Sequence, residues 1–310
     1  MQTRRNTLIL GSLATLASFG GFSAAPAAEG GPLFRFGVVS DPQYAPVPPR
    51  LTRFYSNSLA KLADAVETFN KADLQFVVTL GDIIDRHHES FGHILPVYDR
   101  LKHPSVFVLG NHDFEVGADH LASVLRTTGL KRAYYDFAGG GYRFVVLDGN
   151  DVSLFAHPVG SDRHREASGR LDKLKAVGAA NAQTWNGTMS EAQFAWLDEV
   201  LARAKAAGER LILFNHYPAY PANEHNLWDE ARLLKAVGNS PHVVAYFNGH
   251  NHAGNYGAHA GTHFVNFRGM VETAAETAYA IVEVYPDRLE IKGFGVEPSR
   301  TLPMPGPDRA

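Results

Sequence analysis

Cysteine is missing from this chain of 310 residues. That excludes disulfides, thiolate metal sites and a cysteine nucleophile together. A basic excess is missing as well. Lysine and arginine number 29 against 32 acids, a formal net charge of −3, so no footprint exists for nucleic-acid binding by broad phosphate neutralisation. Composition is ordinary, with 45% hydrophobic and 20% charged residues, which excludes disorder and collagen. Beyond the first two dozen residues there is no long apolar run, so no stable membrane span is expected after processing. The length fits one large domain or two small ones. Neither repeats nor a linker divide it, and one catalytic domain is expected over residues 29–297, with a Pro-rich tail over 298–310.

The first segment reads as an address. Arg4-Arg5 precede the apolar run Leu8 to Phe22, and small residues follow up to Ala28. This order predicts an export signal over residues 1–28, and the adjacent arginines suggest the twin-arginine route. The expected partner is therefore the export machinery, and the expected location is the periplasm.

The remainder alternates strands and helices. Strands are expected at Leu33 to Val39, Leu74 to Leu80, Ser105 to Leu109, Arg210 to Phe214 and Val243 to Phe247. A hairpin is expected from Tyr134 to Leu147, turned by Gly139-Gly140-Gly141. Helical spacing covers Arg53 to Phe69, and Ser190 with Gln193 reads as a capping box opening a helix to Ala207. Residues 150–188 read as irregular around one short helix, Leu171 to Val177. Late strands at Thr262 to Phe267, Tyr279 to Tyr285 and Arg288 to Phe294 lack intervening helices. The fold class is α/β, with βαβ units and a late antiparallel set.

Polar residues collect where strands end. Five apolar strands finish in Asp41 and Gln43, in Asp82, in Asn111 and His112, in His216, and in His250 and His252. Ligands of open α/β sheets bind at that edge. Carboxylate, amide and imidazole are metal-ligand types. Any one of these endings alone is an ordinary turn or cap; five of them in one chain are a candidate site.

The order Asp41-x-Gln43, Gly81-Asp82-x-x-Asp85, Gly110-Asn111-His112-Asp113, Asn215-His216 and Gly249-His250-Asn251-His252 resembles the calcineurin-like metallophosphoesterase family. Gln43 replaces the usual histidine of the first motif. With Tyr44 and Arg53-Phe54-Tyr55 this resembles the manganese-dependent ADP-ribose/CDP-alcohol diphosphatase branch. The resemblance implies two stacked mixed β-sheets flanked by helices, a four-layer αββα sandwich. It assigns one metal to Asp41, Gln43 and His252 and a second to Asn111, His216 and His250, with Asp82 bridging. Two carboxylates leave a charge of about +2 on two divalent ions, enough to bind a phosphate and hold a hydroxide for in-line attack. His112 is then free to protonate the leaving group, with Asp113 fixing its orientation, and Asp85 has a supporting place. An amide oxygen in place of an imidazole favours Mn over Zn or Fe.

The expected substrate is a nucleotide diphosphate derivative such as ADP-ribose or a CDP-alcohol. Residues 150–186 are expected to shape its wall. Tyr44, Tyr55, Asn186 and Trp228 are the candidate substrate contacts, with Phe54 a further aromatic. Rival readings are a cyclic-nucleotide phosphodiesterase, a phosphomonoesterase, a non-catalytic binding protein on this fold and a metal carrier. Oligomeric state is not readable.

Overall fold

In the computed structural model, residues 30–304 are described. The expected export signal lies outside them. Six strands form the first sheet: β1 (Phe34–Val39), β2 (Val77–Leu80), β3 (Ser105–Val108), β10 (Ala278–Val284), β11 (Arg288–Gly295) and β12 (Arg300–Pro303), in the order β12-β11-β10-β1-β2-β3. Six more form the second: β4 (Tyr135–Gly139), β5 (Tyr142–Val146), β6 (Arg210–Phe214), β7 (Val243–Asn248), β8 (Asn255–His259) and β9 (Thr262–Asn266), in the order β4-β5-β6-β7-β9-β8.

Alternation along each strand builds the layers. Phe36 and Val38 of β1, Val78 and Leu80 of β2, and Phe144, Phe214 and Phe247 of the second sheet point into one shared core between the sheets. Phe36 and Phe76 stack there at 4.9 Å. Val77 and Phe107 face the other way, onto α1 (Ser58–Phe69) and α2 (Glu89–Tyr98). Val145, Leu211 and Leu213 face α5 (Glu191–Ala206) and α6 (Glu230–Gly238). Strands buried on both faces read as continuous apolar runs, which is how they appear in the sequence. The architecture is the expected αββα sandwich.

Several elements differ from the sequence reading. The hairpin turns on two residues, Gly140 and Gly141, both left-handed (φ 61° and 79°), between paired Gly139 and Tyr142; that is the backbone a tight hairpin needs. The helix expected at 171–177 is α4 (Asp162–Ala176), capped by Ser161. Its polar composition hides the period. A four-residue helix, α3 (Val124–Thr127), also escapes it. Helix α2 carries Pro96 in its last turn, and β8 is a half-exposed edge strand; neither gives a strong pattern. Part of the expected tail, Arg300–Pro303, is strand β12, paired antiparallel with β11. Leu302 and Met304 enter the core there. The capping box is half formed. Ser190 Oγ accepts from Gln193 N (3.2 Å), while the Gln193 amide crosses to the Asp148 backbone and Asp151 takes Ser190 N (3.0 Å).

β1, β2 and β3 run parallel, as do β5, β6, β7 and β9. Their C-terminal ends open on one edge, where the loops that follow are stitched together both within the second sheet and across the two. Gly249 N donates to His216 O (3.0 Å), and His250 N to both Asp41 carboxylate oxygens (3.2 Å each).

Candidate metal centre

The loops after β1, β2 and β7 leave ordinary backbone conformation where the candidate ligands sit. Asp41, Gln43, Asp82 and His250 all have left-handed φ, at 47°, 45°, 48° and 68°. Non-glycine residues hold such angles only where the surroundings over-determine them, and such positions gather at functional sites. Gly110 shows how tightly the loops close. A Cβ there would meet the Asp82 carboxylate and backbone nitrogen.

Two clusters of ligand atoms result. Asp82, His216 and His250 lie within 4.8 Å of one another, and so do Asp41, Asp82 and His252. Asp82 belongs to both. Asn111 joins the first, with Oδ1 3.1 Å from His216 Nε2. Gln43 is fully buried, and neither its Oε1 nor its Nε2 has a hydrogen-bond partner among the described residues. A buried amide with both atoms unpaired is costly. A carbonyl oxygen on a hard divalent cation removes half of that cost, so the donor set fits two such ions.

The imidazoles are oriented for ligation. His216 Nδ1 donates to Leu80 O (2.8 Å), which turns Nε2 into the cluster. The Asn186 amide donates to Asn181 O and Glu224 O, so its Oδ1 accepts from His250 Nε2 (2.9 Å) and frees Nδ1. His252 Nδ1 donates to Glu272 Oε1 (2.7 Å). Each ligand ring thus spends one nitrogen on an orienting acceptor, as metal-bound histidines do.

Charge follows the same plan. Burial opposes ionisation of Asp82, but His216, His112 and His250 outweigh it and hold its carboxyl below the usual range. Burial also opposes charge on His216 and His252. Asp82 prevails for His216, and Asp41 and Glu272 prevail for His252, so that both are raised to about 9. His250 falls well below the ordinary value, through burial and its neighbour His216.

His112 lies beside this centre, its side chain 23% exposed. Its backbone N donates to Asp82 Oδ1 (2.8 Å), and its Nδ1 to Asp85 O (3.0 Å), with Asp85 Oδ1 at 3.5 Å. Asp85 therefore sets the ring, and Asp113 does not. The Asp113 carboxylate accepts from Gly110 N (2.8 Å) and Ile84 N (3.2 Å) and pins two ligand loops together. Burial, then Asp82, raises it to about 8.

The expected substrate contacts are not at the surface. Tyr44 is buried, with its hydroxyl 3.1 Å from His93 Nδ1. Tyr55 is buried against Ala45 and Val271. Trp228 is buried among Val152, Ala167 and Leu171, and its Nε1 donates to Gln183 O (3.2 Å). Asn186 is fully buried as the support of His250. Phe54 is half-buried. Two further residues stand at the site. Glu272 orients His252. His225 is half-buried, its ring 5.4 Å from that of His250. β9 runs parallel to β7, so extending the strand-end rule to β9 leads into the loop that carries Glu272. His225 has no comparable signal.

Comparison with known proteins agrees with this geometry. The calcineurin-like phosphoesterase family matches residues 34–254. A manganese-dependent ADP-ribose/CDP-alcohol diphosphatase of Mus musculus is 30% identical, over 90% of this chain and 96% of its own. One from Oryza sativa subsp. japonica is 31% identical, over 84% and 91%. The crystal structure of a dimetal phosphatase from Danio rerio superposes with a TM-score of 0.79 at 27% identity, over 88% of this chain and all of that one. On the motif order, the shared fold and these relatives, the chain belongs to the calcineurin-like phosphoesterase family.

Proposed function

We propose that this protein hydrolyses the diphosphate bond of nucleotide derivatives such as ADP-ribose or CDP-alcohols, with two divalent ions, preferentially Mn. It is a metal-dependent phosphoric ester or anhydride hydrolase. The observation that carries the reading is the pair of ligand clusters that share Asp82. The substrate class rests on the relatives that carry that activity in their names.

Asp41, Gln43 and His252 would hold one ion and Asn111, His216 and His250 the other, with Asp82 between them. When bound, the pair supplies Lewis acidity toward phosphoryl oxygens and acidifies water. The protein's own residues do the rest. His112, with Nδ1 committed to Asp85, offers Nε2 to a phosphoryl oxygen or to the leaving group as a proton donor. Asp113 and Gly110 keep the His112 and Asp82 loops in register. Asp41, Gln43, Asp82 and His216 are buried, and His112 is the more open group beside them. A binding or scaffold role has no support from a ligand set that is complete.

Turnover of ADP-ribose, CDP-choline, cyclic AMP and an aryl phosphate by the Mn-loaded protein tests the substrate class. The first two should lead. A lead for cyclic AMP or the aryl phosphate would replace the reading with one of its rivals. The export reading of residues 1–28 joins this proposal, supported by Arg4-Arg5 and the apolar run behind them. Fractionation of cells making the native chain and an Arg4→Lys, Arg5→Lys chain tests it; retention of the native chain in the cytoplasm would end it.

A further inference from the structure

We propose that Lys61 is a positioning residue for one half of the metal centre, acting through the backbone of the loop that carries Glu272. The inference rests on the metal assignment above.

Lys61 sits on the buried face of α1, in line with Leu62, Ala65, Val66 and Phe69. An apolar residue would satisfy that face. Lysine is almost never so buried unless it is partnered, and here it is 4% exposed. Its Nζ donates to three carbonyls, Met270 O (3.0 Å), Glu272 O (2.7 Å) and Thr273 O (2.7 Å). An ammonium group has three donors and no acceptor, and all three are used on one short segment.

That segment needs a clamp. Thr273 holds a left-handed φ of 65°, a conformation that a β-branched residue adopts only under constraint. The segment also reaches one half of the site in particular. Met270 N donates to Ser40 O (2.9 Å), Val271 N to Asp41 O (3.0 Å) and Gly269 N to His252 O (3.1 Å). The Glu272 side chain fixes the His252 ring. Asp41 and His252 belong to the same ligand cluster. His216 and His250 lean instead on Leu80 O and Asn186. A loosened loop therefore moves one metal's ligands and leaves the other's in place.

The test is Mn(II) titration of the metal-free native protein and of Lys61→Met, followed by calorimetry and electron paramagnetic resonance. Loss of a partner behind a ligand typically weakens metal binding by about 10- to 100-fold. One affinity should fall by that factor and the other should hold. The variant should then show mononuclear Mn at concentrations that fill both sites in the native protein, and excess Mn should restore kcat. Lys61→Met should add less than about 3-fold in a Glu272→Gln background, because residues acting through one partner are not additive. Lys61→Gln keeps two N–H donors and should fall between; it carries the same test if the methionine variant does not fold. Unchanged affinities, equal weakening of both sites, or full additivity with Glu272→Gln would overturn the inference. A native protein that binds no Mn would instead remove the metal assignment itself, a result distinguishable from all of these.

Discussion

The cluster that contains Asp41 and His252 and the cluster that contains His216 and His250 meet at Asp82, yet different chemistry braces them. In the first, charged groups do the bracing. Glu272 holds His252, Arg53 lies 3.8 Å from Glu272, and Lys61 clamps the loop beneath. In the second, neutral groups do it. A backbone carbonyl holds His216, a buried amide holds His250, and the ring of Tyr217 packs 4.7 Å from His250. Exposure differs too. Asn186 is fully buried, whereas Glu272 and Arg53 reach solvent and, of the charged braces, Lys61 alone is enclosed. A charged brace open to solvent is screened and exchanges partners, whereas a hydrogen-bonded neutral brace in the interior has no competing water. The first half should therefore be the one that loses its ion more readily.

Four substitutions and a change of pH would break or sharpen that contrast. The largest effect is expected from Asp82→Asn, since a shared carboxylate offsets charge in both halves. Elemental analysis should find both ions depleted and turnover abolished; two retained ions with normal turnover would end the bridging role. His112→Ala comes next. It belongs to neither half, so metal content should stay while turnover falls by about 100- to 10,000-fold, the usual contribution of a general acid. Loss of an ion in that variant would move His112 into the ligand set.

Glu272→Gln and Asn186→Ala form the paired comparison. Each should weaken Mn binding by about 10- to 100-fold, the ordinary effect of losing a support behind a ligand, and each in its own half only. Competitive Mn titration separates the two, and a common loss in both halves from either variant would dissolve the contrast. The smallest effect is on protons. His216 and His252 are raised to about 9 from an ordinary 6.5. In the metal-free protein they are charged at pH 7. Their stabilisation is complete below 6.5 and is lost as pH rises through about 9. Metal binding needs neutral rings and displaces those protons. Mn affinity should thus rise with pH toward 9, with about one proton released per half at pH 7. Calorimetry in buffers of different ionisation enthalpy reads this directly, and zero release would contradict the raised values.

The contrast also marks what the sequence could disclose. Ligand candidates were legible because each follows an apolar strand, and strand ends meet on one edge by topology alone. The α/β class was legible from the same runs, and the two-sheet sandwich from the family resemblance that the motif order carries. Support was not. His252 and Glu272 are 20 residues apart, His250 and Asn186 are 64 apart, and Lys61 reaches its carbonyls across more than 200. No local period encodes such pairs. Burial misled in the other direction. Tyr44, Tyr55 and Trp228 have the chemistry to stack a base, and only packing reveals that they are enclosed. Asp113 is adjacent to His112 in sequence, which makes it the natural candidate to orient that ring. In space Asp85 takes that place, because the tight turn at Asn111 turns the Asp113 carboxylate back onto Gly110. α4 and β8 leave little trace in the sequence because polar, half-exposed elements carry little hydrophobic signal.

The most direct test of a paired centre joined by one carboxylate is the electron paramagnetic resonance of the metal-free native protein titrated with Mn(II). The first equivalent should give a mononuclear signal, and the second should replace it with the spectrum of a spin-coupled pair. Two equivalents that simply double the mononuclear signal, or saturation at a single equivalent, would contradict the shared role of Asp82.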